Sequence, residues 1–185
     1  MMGTSKIKAR KVELPQQASI AGLYPGSHLA DAYQIALPSS RARTMDMESL
    51  ARVLLGSQPR WAQALMVLRD AIVARFGIKT ASELAGGEGG RIGIFRIYSV
   101  TADEIVVGED DSHLDFRLSM LRSAHGGADG SADGSTPGSD YGSVTLASAV
   151  HCHNRIGRAY IFLIRPFHEL IVRRSLTRAA RLHLA

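Results

Sequence analysis

Glu109, Asp110, Asp111, His113 and Asp115 bring five ionisable side chains into seven residues. His151 and His153 follow at a spacing that puts both on one face of a strand. If the two segments pair antiparallel, His113 and Asp115 approach His151 and His153. Imidazoles with a carboxylate form a donor set for zinc or another divalent ion. Imidazole also titrates near neutrality, so His113, Asp115 and His153 are candidate catalytic residues for acid–base work of a cyclase or isomerase type. A competing reading comes from alternation. Leu114, Phe116, Leu118 and Met120 face one way, and His113, Asp115, Arg117 and Ser119 face the other. That parity puts the ionisable groups on a solvated sheet face beside an acidic turn, and predicts no tightly bound metal. The chain has no His-Glu-x-x-His motif and no second cysteine for a thiolate site.

The elements that would position these groups can be read along the chain. Residues 1–13 carry Lys6, Lys8, Arg10 and Lys11 against Glu13, which predicts a basic, solvated tail or at most an edge strand. Residues 31–37 alternate as a first strand, stopped by Pro38. Met47, Leu50, Val53 and Leu54 predict a short helix with Asp46 as cap and Gly56 as stop. Ser57 then caps a second helix, whose stripe is Trp61, Leu65, Leu68, Ile72 and Phe76. Arg60 is available to pair with the acidic hairpin. Glycines at 86, 87, 89 and 90 form a flexible link, and no Gly-Lys-Ser/Thr follows to make it a phosphate loop. Residues 92–100 read as one strand, 104–109 as its return, and 113–122 as the next. Residues 124–140 are rich in Gly, Ser and Asp, which predicts a flexible loop. Residues 141–153 form a last strand, and Asn154 caps a long helix over 156–181.

That helix has a broad apolar face: Ile156, Tyr160, Leu163, Ile164, Phe167, Leu170 and Ile171. Pro166 is expected to kink or break it. Arg174, Arg178 and Arg181 continue the apolar stripe, so the final turns are expected to leave the body of the domain. An arginine-rich helix end can associate with anionic lipid or nucleic acid. Aromatic residues are only 6% and do not interleave with the arginines, which argues against sequence-specific nucleic-acid recognition.

The chain of 185 residues, 45% apolar, is long enough for a single domain with a sizeable core. Its net charge is +5 and its pI about 9.7, which permits anionic partners without requiring them. The one cysteine, Cys152, cannot form an internal disulfide and fits a reducing compartment. The N-terminus lacks the apolar stretch of a signal peptide, and no run approaches the ~18 apolar residues of a membrane span. The expectation is therefore cytoplasmic. Cys152 shares strand parity with Val144, Leu146 and Val150, which marks it as a core residue rather than a nucleophile.

Several runs carry a resemblance. They are Ala30-Asp31-Ala32-Tyr33, Pro59-Arg60-Trp61, Arg91-Ile92-Gly93-Ile94-Phe95, the stretch from Gly108 to Arg117, the stretch from His153 to Arg158, and the stretch from Arg165 to Arg174. In this order they resemble a bacterial family catalogued as domain of unknown function 2867, over about residues 10–180. The resemblance implies grouping with the helix-grip superfamily of START-like lipid-transfer and polyketide-cyclase proteins. It implies no catalytic residues, because no activity is established for the family. Some relatives carry the domain behind a dinucleotide-binding reductase domain.

The expected architecture is α+β. A curved antiparallel sheet grips a long C-terminal helix, with two shorter helices after the first strand and one domain over 14–185. A small apolar ligand is expected between sheet and helix, lined by Phe95, Phe116, Leu118, Met120, Tyr160, Ile164 and Phe167. No cofactor is expected. The enzyme reading and the surface-association reading stand beside it.

Overall fold

The computed structural model describes residues 7–37, 39–56, 90–93, 95–123 and 142–184. The expected second helix with Trp61, the pairing of Arg60, most of the glycine link and the 124–140 loop lie outside the described residues.

The architecture is α+β. Seven antiparallel strands form one curved sheet: β1 (Arg10–Val12), β2 (Leu29–Ala36), β3 (Arg91–Ile92), β4 (Phe95–Val100), β5 (Glu104–Asp110), β6 (Leu114–Ser123) and β7 (Ser143–Cys152). Their spatial order is β1-β2-β7-β6-β5-β4-β3. β3 to β7 run as a meander, and β2 returns against β7, with Asp31 opposite Ser148 and Tyr33 opposite Leu146. Among the described residues the helices are α1 (Ser40–Thr44), α2 (Met47–Gly56) and α3 (Arg155–His183). No described helix is long and apolar enough to cross a membrane.

Local chemistry explains the boundaries. Ser39 Oγ accepts from Ala42 N–H at 3.2 Å to start α1. Asp46 Oδ1 accepts from Ser49 N–H at 2.8 Å ahead of α2. Asn154 Oδ1 accepts from Gly157 N–H at 3.0 Å to start α3, as its type and place suggest. The strand expected over 92–100 is instead two strands. Gly93 has φ +61°, and the chain reverses so that Ile92 faces Phe95. A positive φ at that point is what a two-residue hairpin needs and what glycine allows.

Of the two readings of the basic N-terminal segment, the edge strand is the one observed. Arg10–Val12 pair with β2 as an edge strand, and Ala9 is buried. Ala9 N–H donates to Thr177 Oγ1 at 3.0 Å, which ties this segment to the far end of α3. The next stretch crosses the outer face of the sheet. There Ala18 and Ile20 pack on Ala32, Val106, Ala147 and Ala149, whose small side chains let a backbone approach closely.

The main core lies on the inner face. Tyr33, Ile35, Ile105, Met120, Val144 and Leu146 of the sheet meet Leu50 and Leu54 of α2 and Leu176, Ala179 and Ala180 of α3. The expectation that the final turns of α3 leave the domain is therefore overturned, because those turns are the most deeply buried part of the helix. The expected apolar face is displaced as well. Leu163 is 59% exposed and Phe167 53%, while Ile161 and Leu176, outside that face, are buried. Ala179 and Ala180 carry too little surface to weigh in an apolar stripe, yet their size allows close helix–sheet contact. α3 runs through Pro166 as one helix.

Candidate functional site

The structure brings two of the acid–base candidates, Asp115 and His153, together and sets His113 apart. His113 precedes β6, in a bend where strand parity does not hold, and its side chain turns inward to 2% exposure. Its ring meets the Tyr160 ring edge-on at 6.5 Å, and its Nδ1 lies 3.5 Å from Asp111 Oδ1. The placement of His113 on a solvated face is thus corrected. Asp115 is on the outer face opposite His151, and its Oδ2 lies 2.9 Å from His153 Nε2. That pair is about two-fifths exposed, the setting in which an ion pair contributes least. His151 Nε2 bonds to the Leu23 carbonyl at 2.8 Å instead of joining them.

The acidic run is divided pairwise. Glu109 meets Arg91 in a largely buried ion pair at 2.5 Å. Asp110 accepts from Arg117 at 2.6 Å and from Tyr98 O–H at 2.7 Å, and the Arg117 guanidinium lies 3.8 Å from the Tyr98 ring centre. Burial raises the Asp110 pKa, but the bonds from Tyr98 and Arg117 outweigh it and hold the carboxyl below its usual range. Burial, helped by the bond to that carboxylate, pushes Tyr98 up to about 12. Among the described residues no three His, Cys, Asp or Glu side chains gather as a metal-ligand group.

A second constellation lies on the inner face, where sequence reasoning did not look. Asp31 on β2 is 7% exposed. Its Oδ2 accepts from Tyr33 O–H at 3.0 Å, and its Oδ1 accepts from Ser148 O–H. His168, one-fifth exposed on α3, puts Nε2 3.3 Å from Oδ1 and 3.3 Å from Oδ2. Burial raises the Asp31 pKa. The bond and charge of His168, with bonds from Ser148 and Tyr33, outweigh it and leave the carboxyl below its usual range. The Tyr33 hydroxyl is pushed well above its ordinary value by burial and by that neighbouring carboxylate. One signal could have found Asp31: it shares parity with Tyr33, Ile35 and Leu37, so it is a carboxylate on the apolar face of an alternating strand. His168 carried no such signal, because the apolar face read from the sequence omitted it.

The expected ligand-lining residues divide between two regions. Phe116 and Tyr160 pack with Leu29, Leu114, Val150, Cys152 and Ile161. Phe95 and Leu118 flank the main core, and Met120 is fully inside it. The Phe95 and Phe116 rings meet edge-on at 5.9 Å and link the two regions. Phe116, Leu118, Phe95, Tyr160 and Ile164 remain half-buried, while Phe167 points outward. Cys152 is buried, and burial raises its thiol pKa.

A separate open groove of about 970 Å³ runs between the first described residues and α3. Lys8, Arg173, Arg174, Arg178 and Arg181 line it against Glu169. None of the seven expected ligand-lining residues borders it.

No curated protein and no solved structure matches the chain. The family model described as "Protein of unknown function (DUF2867)" matches residues 23–175, nearly the whole sheet and most of α3, and the chain belongs to that family.

Proposed function

We propose that the protein binds a small, mostly apolar molecule between the inner face of the sheet and the first half of α3. One observation carries this reading: α3 is held tightly near both ends, at Gly157 and Ile161 and again at Leu176, Ala179 and Ala180, and more loosely around Ile164. Leu176, Ala179 and Ala180 close on Met120, Leu146 and Ile105, whereas Phe116, Leu118 and Phe95 of the sheet and Ile164 of the helix stay half-buried. Apolar side chains held part-open beside a few fixed polar groups are the usual makeup of a ligand site. The Asp31 network and the Arg91–Glu109 pair supply those groups. We also place the fold with the helix-grip, START-like proteins, supported by the curved sheet and long C-terminal helix. A cytoplasmic location fits the lone buried cysteine. The test is titration with a naphthalene-based fluorescent probe. Single-site binding that Leu118→Trp abolishes in a still-folded protein supports the cleft. Unchanged binding in that variant defeats it.

The basic groove favours a second reading, association with an anionic lipid surface. Five cations border it, and Phe162, Phe167, Leu170 and Leu182 are exposed on the same helix. A cationic helix with exposed apolar side chains suits a charged membrane surface. Co-flotation with vesicles containing phosphatidylglycerol, absent with phosphatidylcholine alone and lost in Arg174→Glu/Arg178→Glu, is the expected result. Equal flotation with both vesicles defeats it.

A further inference from the structure

The Asp31 network has a direction. The carboxylate is ionised, held below its usual range by its donors, and it accepts from Tyr33, Ser148 and His168. A carboxylate can only accept, so Nε2 carries the proton that His168 donates to it, and in the neutral form of the ring Nδ1 is the unprotonated nitrogen. Nδ1 is then a lone-pair acceptor. It makes no bond among the described residues, and it is not one of the buried side-chain atoms lacking a partner. It is an open acceptor on a side chain one-fifth exposed.

The place of this group in the sheet gives it a role. Asp31 pairs with Ser148, Ser148 with Leu118, Leu118 with Val107, and Val107 with Ile97. These residues form one cross-strand row on the inner face, polar at the β2 end and apolar beyond. Leu118 and Ile97 in that row are half-buried. Asp31, Ser148 and Val107 in the row are buried, so a molecule over it would meet Leu118 and Ile97, with the His168 imidazole at the β2 end.

We propose that His168 Nδ1 accepts a hydrogen bond from a phenolic or enolic hydroxyl of the bound molecule, so that the cleft takes hydroxylated, otherwise apolar compounds. This rests on the cleft reading above. Asp31 acts as the positioning residue: it fixes the tautomer and turns the ring, and Ser148 and Tyr33 hold Asp31 in turn.

The experiment uses the full chain with two probes that differ at one group, 2-naphthol and 2-methoxynaphthalene. One hydrogen bond at a partly enclosed site corresponds to a preference of roughly tenfold for the naphthol. That preference should vanish in His168→Phe, which keeps a ring of similar size, while the ether still binds. Asp31→Asn should weaken it. Nitrogen-15 NMR of the wild-type His168 ring decides the matter even if the variants fail to fold. The proton should reside on Nε2, and the Nδ1 resonance should move when 2-naphthol is added. Equal affinity for the two probes, a preference that survives His168→Phe, or a proton on Nδ1 overturns the proposal, while binding of the ether keeps the cleft. Binding of neither probe overturns both.

Discussion

His168 on α3 and Asp31 on β2 stand 137 residues apart in the chain, and the imidazole Nε2 is equidistant from both oxygens of the carboxylate at 3.3 Å. The pair joins the middle of the helix to the sheet. It therefore serves as a tie between layers.

The tie should make stability depend on acid. The Asp31 carboxyl is depressed in the folded protein, so its contribution is fully present above the unfolded-state value of about 3.9 and is lost as pH falls through the folded value. Asp31→Asn should cost about 2 kcal/mol at pH 7. Denaturant melts of both proteins should show that gap shrinking below about pH 4. A gap independent of pH would mean that Asp31 is not ionised in the fold.

Helix burial predicts an asymmetry along α3. Leu176→Ala should cost about 2–5 kcal/mol, because it opens a cavity where α3 meets the core. Phe167→Ala should cost less than about 1 kcal/mol, because the ring is half in water. Chemical denaturation of the two variants measures both. A large loss from Phe167→Ala would show that its ring is covered in solution.

Gly157 packs α3 tightly against the bend that precedes β6. A Cβ there would sit 2.2 Å from the His113 carbonyl oxygen. That oxygen also accepts from His153 N–H at 2.9 Å, so it has little freedom to retreat. Gly157→Ala should destabilise by roughly 1–3 kcal/mol despite the better helix propensity of alanine. A melt in which Gly157→Ala gains stability would show that α3 can shift away from β6.

The separated histidines should behave differently. His153→Gln or Asp115→Asn should change stability by less than about 1 kcal/mol, as expected for an exposed pair. His113→Ala removes a buried ring packed on Tyr160 and should cost about 2–4 kcal/mol. Thermal melts rank the three. Equal effects would mean that the three side chains work as one unit.

Much of this protein is legible in its sequence because the signals are local. Alternation marks β2, β6 and β7, and Asn154 marks the start of α3. The pairing of strands by hairpins and the helix-on-sheet class follow from faces that must be buried. The faces themselves were harder to assign. His113 escaped its parity because it lies in the bend before the strand begins. α3 hid its buried side because Ala179 and Ala180 pack through smallness, while Phe162 and Phe167, large and apolar, stand in water. The union of Asp31, Ser148 and His168 has no local trace. It exists because β2 lies against β7 and α3 folds back over both, and only that arrangement brings a carboxylate, a hydroxyl and an imidazole from three distant segments to one point.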